Sequence, residues 1–273
     1  MMTNTQTSPL KDRMQRQELA LCMALRQART ADISMMAAAC GFDAVYVDMQ
    51  HSTIGLDAVS ALCTGALAAG IAPLVRLPGL DMDLLQRVLD GGAQGVLLPG
   101  IESADQARTA ARAGRYPPAG TRSVMGPTLG TFYRPQDAAS LTARVNGETL
   151  MIMMLESPGA ISRADEIAAV DGVDMLLIGS NDLCTAMGIP GQLHHPDLFK
   201  AYETVAAACH RHGKTLGIGG IRSDLALQKR LVALGARFLI AGSDVTYLMA
   251  AARKDAADIR QALAHPPSSS DPS

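Results

Sequence analysis

The 273-residue sequence predicts an α/β protein made of one closed (β/α)8 TIM barrel. Three observations predict it: eight short apolar runs, helical stretches between them, and a repeated joint where a helix stops at Gly and an apolar run follows at once. The runs are LCMAL (21–25), AVYVD (44–48), APLVR (72–76), GVLLP (95–99), TLMIMML (149–155), DMLLIG (174–179), TLGIG (215–219) and RFLIAG (237–242). They are continuous rather than alternating, as in parallel strands covered on both faces. An open doubly wound sheet shows the same rhythm; the count of eight favours the barrel.

The helical stretches run from Thr30 to Cys40, Asp57 to Ala69, Asp81 to Asp90, Ser103 to Ala113, Ala160 to Val170, Pro196 to His212 and Arg222 to Leu234. Most end at Gly, and CGFDAVYVD, AGIAPLVR, HGKTLGIG and LGARFLIAG show the joint directly. Between Gly114 and Glu148 the rhythm breaks in RYPPAGTRSVMGPTLGTFYRP, rich in Pro, Gly and Arg; a loop of that length on a barrel is expected to cover the active site. Residues 1–15 and 265–273 have the composition of disordered tails, leaving 16–264 as the barrel domain.

Composition narrows function. Lys+Arg 24 against Asp+Glu 26, with 3% aromatic residues and no Trp, provides neither the basic surplus nor the stacking platforms of a nucleic-acid binder. Cys22, Cys40, Cys63, Cys184 and Cys209 form no C-x-x-C pair or zinc spacing. The polar start does not resemble a signal peptide, and no run reaches the roughly 18 apolar residues of a membrane helix. These features predict a cytoplasmic protein with reduced thiols.

Barrel enzymes carry their reacting groups at strand C-terminal ends. Strand two ends in Asp48, Gln50 and His51, strand three in Arg76, strand five in Glu156, and strand six in Asn181 and Asp182. Glu156 and Asp182 offer oxygen-only ligation, suited to a hard cation such as Mg²⁺ or Mn²⁺. Equally, Glu156 could cap the helix after it and Asp182 could be an ordinary helix-start acid. His51 is a candidate base near neutral pH, and Arg76, ending an apolar strand, needs an anionic partner. His194, His195, His210 and His212 read as structural. No lysine stands at a strand end, which disfavours an imine mechanism.

In GFDAVYVDMQHS, PLVRLP, VLDGGAQGVLLPGIESADQA, RYPPAGTRS, the MLES strand end and GVDMLLIGSNDLCTAMGIPG followed by HPD, the sequence resembles the HpcH/HpaI aldolase family of the phosphoenolpyruvate/pyruvate barrel superfamily, from about Leu19 to Ala264. The resemblance implies a class II pyruvate aldolase that cleaves 4-hydroxy-2-oxo acids to pyruvate and an aldehyde, commonly as a hexamer. It implies His51 as base, Arg76 as stabiliser of enolate charge, Asp90 as the residue that raises the basicity of the histidine, and Asp48 in the same cluster. A divalent cation, Mg²⁺, Mn²⁺ or Co²⁺, would sit on Glu156 and Asp182, with substrate against Arg76, Met154, Asn181 and Asp182. Under the same resemblance Asp244 to Ala264 suits a helix swapped between subunits. Departures are Gln50, where the family's D-x-E-H motif has Glu; Met154, where a substrate-contacting Gln is common; Ser123, where Gly is usual; and Ser180–Asn181, in place of a Pro-Ala pair. Two rival readings are a related lyase acting on an acyl-CoA and a non-catalytic oxo-acid-binding protein.

Overall fold

The structure, a computed structural model, describes residues 9–264. Strands β1 (Ala20–Leu25), β2 (Ala44–Asp48), β3 (Ala72–Arg76), β4 (Gly95–Leu98), β5 (Leu150–Leu155), β6 (Met175–Gly179), β7 (Thr215–Gly219) and β8 (Ala236–Ser243) pair in chain order, all parallel, and β8 closes onto β1. The helices are α1 (Pro9–Gln15), α2 (Asp32–Ala39), α3 (Leu56–Ala68), α4 (Met82–Asp90), α5 (Ala104–Ala113), α6 (Ala138–Glu148), α7 (Pro158–Ser162), α8 (Ala164–Ala168), α9 (Ser180–Ala186), α10 (Pro196–His212), α11 (Leu225–Leu234) and α12 (Asp244–Ala264).

Alternation along each strand divides the apolar residues into two cores. Ala24, Tyr46, Leu74, Ile152, Leu177 and Phe238 belong to the barrel interior. Val47, Val75, Val96, Met153 and Ile178 face the helices. The predicted joints have a mechanical basis: Gly213 (φ 63°) and Gly235 (φ 119°) end α10 and α11 in the left-handed region, which strains any residue with a Cβ.

The structure corrects four expectations. The tail predicted at 1–15 is helical over its last seven residues: Leu10 and Met14, one turn apart in α1, are buried in the interior core and close the strand-entrance end. Residues 1–8 and 265–273, read as tails, lie outside the described residues. The segment predicted as one long loop contains a 3-10 turn at Leu129–Thr131 and α6, started by Asp137, whose side chain accepts from Ser140 N. Only Leu141 of α6 is buried, so no apolar stripe betrays it in the sequence.

Nor does this segment cover the strand ends in its own chain. It joins a helix to the following strand, so it lies at the strand-entrance end, where Asn146 brackets the Tyr116 backbone by bonds to its N and O. Finally, the stretch expected as one helix from Ala160 to Val170 is split into α7 and α8 at Arg163, whose Nε donates to Glu102 O.

Candidate active site

The strand exits form a mouth organised by Asp48. Strand register sets Asp48 directly beside Arg76, both on the interior face. Asp48 is 0% and Arg76 5% exposed, so neither charge is tolerable without the other. Arg76 Nε donates to Asp48 Oδ1 at 3.1 Å and Nη2 to Oδ2 at 2.6 Å, a two-point fork that also fixes the guanidinium plane. Oδ1 further accepts from the backbone N–H of Gln50 (3.1 Å) and His51 (3.0 Å), which pins the turn carrying His51. Burial pushes the Asp48 carboxyl up, but the bond and charge of Arg76, the His51 N–H and the charge of Arg26 outweigh it and hold it below its ordinary value. Burial pushes Arg76 down, and Tyr46, Asp48 and Glu156 more than reverse this. The guanidinium lies 5.5 Å from the Tyr46 ring centroid.

Glu156 follows β5 and turns one oxygen, Oε2, to the backbone N–H of Gly100 at 3.0 Å. Capping falls instead to Ser157, whose side chain accepts from Ala160 N, so the capping alternative for Glu156 does not hold. Opposite it, Gly179 leaves necessary space: a Cβ there would stand 2.7 Å from Glu156 Oε1. Asp182 occupies the first turn of α9 and is exposed, as is Asn181. Buried Ser180 anchors that helix by accepting from Tyr202 OH at 2.9 Å. Burial raises the Glu156 carboxyl, Gly100 N–H opposes this, the like charge of Asp182 adds to it, and Arg76 and His51 lower it. Four predicted residues therefore feel one another at a single mouth.

The donor chemistry fits a divalent cation. Among the described residues Glu156 Oε1 and both Asp182 oxygens accept no hydrogen bond, and two uncompensated carboxylates repel each other. No cluster of three or more His, Cys, Asp or Glu gathers among the described residues, so protein ligation would stop at these two and leave places for substrate oxygens and water.

One predicted residue lies elsewhere and another is buried beneath the mouth. Helix α4 runs back from the mouth, so its last residue, Asp90, sits at the strand-entrance end, where Oδ1 accepts from Arg122 Nη2 at 2.6 Å. The resemblance implied Asp90 as the residue that raises the basicity of His51; within one chain its neighbour is instead buried Arg122, stacked 4.7 Å from the Tyr116 ring centroid. Met154 is 3% exposed in the interior core, an apolar floor two residues below Glu156. The histidines read as structural have structural contacts: His195 accepts from Asp197 N at the start of α10, His212 meets Asp165, and His194 pairs with Asp224.

Sequence reasoning missed Arg26 and Asp244. Arg26 follows the first apolar run as Arg76 ends the third, and its Nε donates to Asp48 Oδ2 at 2.9 Å. The same signal, an arginine ending an interior strand, would have found it. Asp244, at the root of α12, accepts from the backbone N–H groups of Arg26, Gln27 and Ala28 and so shapes the loop after β1.

Comparison with known proteins identifies the family to which this fold belongs. Residues 22–251 match the family model described as HpcH/HpaI aldolase/citrate lyase. A 4-hydroxy-4-methyl-2-oxoglutarate aldolase of Hapsidospora irregularis is 40% identical over 235 residues, covering 84% of this chain and 86% of the relative. A hydroxypyruvate/pyruvate aldolase of Sagittula stellata is 35% identical over 225 residues, covering 82% and 87%. The crystal structure of an HpcH/HpaI aldolase from Desulfitobacterium hafniense superposes with a TM-score of 0.88 at 32% identity, covering 94% of this chain and 98% of that one. With a closed eight-stranded barrel, a charged mouth and relatives named as aldolases, the chain belongs to the HpcH/HpaI aldolase/citrate lyase family and is a carbon–carbon lyase.

Proposed function

We propose that this aldolase cleaves a 4-hydroxy-2-oxo acid to pyruvate and an aldehyde or ketone, with His51 as base, Arg76 facing the developing enolate charge, and Glu156 and Asp182 holding Mg²⁺, Mn²⁺ or Co²⁺. The observation that carries the reading is the gathering of His51, Arg76, Glu156 and Asp182 at the strand exits, with Arg76 and the His51 turn both held by Asp48 and Glu156 Oε1 without a hydrogen-bond donor among the described residues. The names of the relatives, aldolases of 2-oxo acids, support it. A bound divalent cation supplies Lewis-acid polarisation of the 2-oxo acid oxygens.

The chain's own residues do the rest. His51 takes the proton of the C4 hydroxyl. As the C3–C4 bond breaks, C4 becomes a carbonyl, the bonding pair moves between C3 and C2, and protonation at C3 completes pyruvate. Arg76, locked on Asp48, meets the oxygen where negative charge grows without needing to reorganise. Asn181 and Asp182 border the substrate, while Met154 offers it an apolar floor.

Helix α12 buries none of its residues and exposes Leu248, Met249, Ile259 and Leu263, which supports assembly with further copies of the chain, as a hexamer. A single size-exclusion peak at monomer mass would contradict that assembly. No helix among the described residues is long and apolar enough to cross a membrane. Its cysteines are all free, which supports the reducing cytoplasm as the place of action.

Pyruvate release from short 4-hydroxy-2-oxo acids, assayed with EDTA and again after Mg²⁺ is restored, tests the reading. Chelator-sensitive release is expected; its absence with every such acid would overturn the aldolase.

A further inference from the structure

We propose that Arg26 is a specificity-determining residue that receives a second carboxylate on the substrate, remote from the 2-oxo acid end, so that the mouth selects 2-oxo dicarboxylates. The inference rests on the aldolase reading and adds to it the class of acid.

The interior face of β1 carries Ala20, Cys22 and Ala24, so the next inward position is Arg26. Its Nε lies 2.9 Å from the Asp48 carboxylate, which holds the guanidinium over the barrel interior rather than on the outer rim. Asp48 has no electrostatic need of it. One buried carboxylate is already answered by the two-point fork of Arg76, and Arg26 brings a second positive charge to the same anion.

That second charge is left over and aimed. Among the described residues Nη1 and Nη2 of Arg26 donate no hydrogen bond, and the side chain is 40% exposed. The end of the fork that matches a carboxylate in two points is therefore free. The main chain cannot swing away: Arg26 N is held by both oxygens of Asp244, and Arg26 O accepts from Arg29 Nη1 at 3.2 Å. A cation fixed before binding loses little freedom when an anion arrives.

Among the described residues no carboxylate claims those donors. Asp244 accepts from backbone N–H groups. Gln50, in the loop after β2, is neutral.

The test uses Mg²⁺-loaded full-length protein, two uncleavable probes of equal chain length, 2-oxoglutarate and 2-oxopentanoate, and calorimetry. The wild type should bind 2-oxoglutarate at least about tenfold more tightly, and R26Q should bring the two within about threefold. R26K keeps a point charge without the fork and should fall between them. Asp48 keeps four of its five bonds in R26Q, and measurable binding of 2-oxopentanoate shows that the variant has folded. If the wild type does not discriminate, or R26Q weakens both probes equally, Arg26 merely positions Asp48 and the proposal is wrong. Pyruvate release judges the aldolase reading separately: release without discrimination sinks only the role of Arg26.

Discussion

The two ends of the barrel handle charge in opposite ways. At the strand-entrance end carboxylates are answered by cations of the same chain: Asp174 lies between Lys11 and Arg115, and Asp90 is paired with Arg122. At the exit end Asp48 is answered by Arg76 and Arg26 and Glu102 by Arg163, while Glu156 and Asp182 form no ion pair among the described residues. The entrance is closed by Leu10 and Met14; at the exit His51, Asn181 and Asp182 are exposed. Both ends contain buried arginines, so burial of charge alone does not mark a site. What marks it is charge left unanswered where solvent and substrate can reach.

The contrast can be broken most sharply at His51. An exposed residue at the exit should matter to rate and little to stability: H51A is expected to lower pyruvate release by about 10²–10⁴-fold. Its melting temperature should stay close to that of the wild type, as for most surface substitutions. Steady-state assays beside calorimetric melting decide it, and a large loss of stability with little loss of rate would reverse the assignment.

Asp48 should behave differently, since it is buried. D48N leaves two guanidinium groups without a full counter-charge and is expected to cost about 3–5 kcal/mol of stability in urea unfolding. The same change at exposed Asp182 should cost under about 0.5 kcal/mol while still removing activity. Equal costs at the two positions would erase the distinction between a structural and an uncompensated carboxylate.

The entrance has its own test in L10A. Removal of a side chain that is 1% exposed should cost about 2–5 kcal/mol, with KM for the oxo acid unchanged because the plug lies at the far end.

The smallest effect expected is on acid stability. Asp48 has a folded pKa held below the roughly 3.9 of an unfolded Asp, so its contribution is complete above that pH and is lost as pH falls through the folded value. Acid unfolding followed by circular dichroism should lose this component in D48N, so that the variant's stability changes less below about pH 4.

Much of this was legible in the chain. Runs such as AVYVD and APLVR coincide with β2 and β3 at both ends, because a strand buried on two faces must be apolar throughout and is cut off by Gly at its entrance. His51, Arg76, Glu156 and Asp182 were legible because a barrel's strand exits share one face. Helix α1 was not, since only two residues, Leu10 and Met14, carry its packing among polar neighbours. The position of Asp90 was not either: motif order says nothing about which end of the barrel a helix terminus reaches.

By itself the sequence determined that eight apolar strands alternate with helices and that a few charged groups stand at strand ends, because both are local properties of composition and spacing. Tertiary structure alone decided which charges meet. Register set Asp48 against Arg76, the pairing of β1 with β2 brought Arg26, one residue past β1, onto the same carboxylate, and the approach of β6 to β5 left Gly179 as room for Glu156. Such contacts depend on distances between residues remote in the chain, and only the closed sheet fixes them.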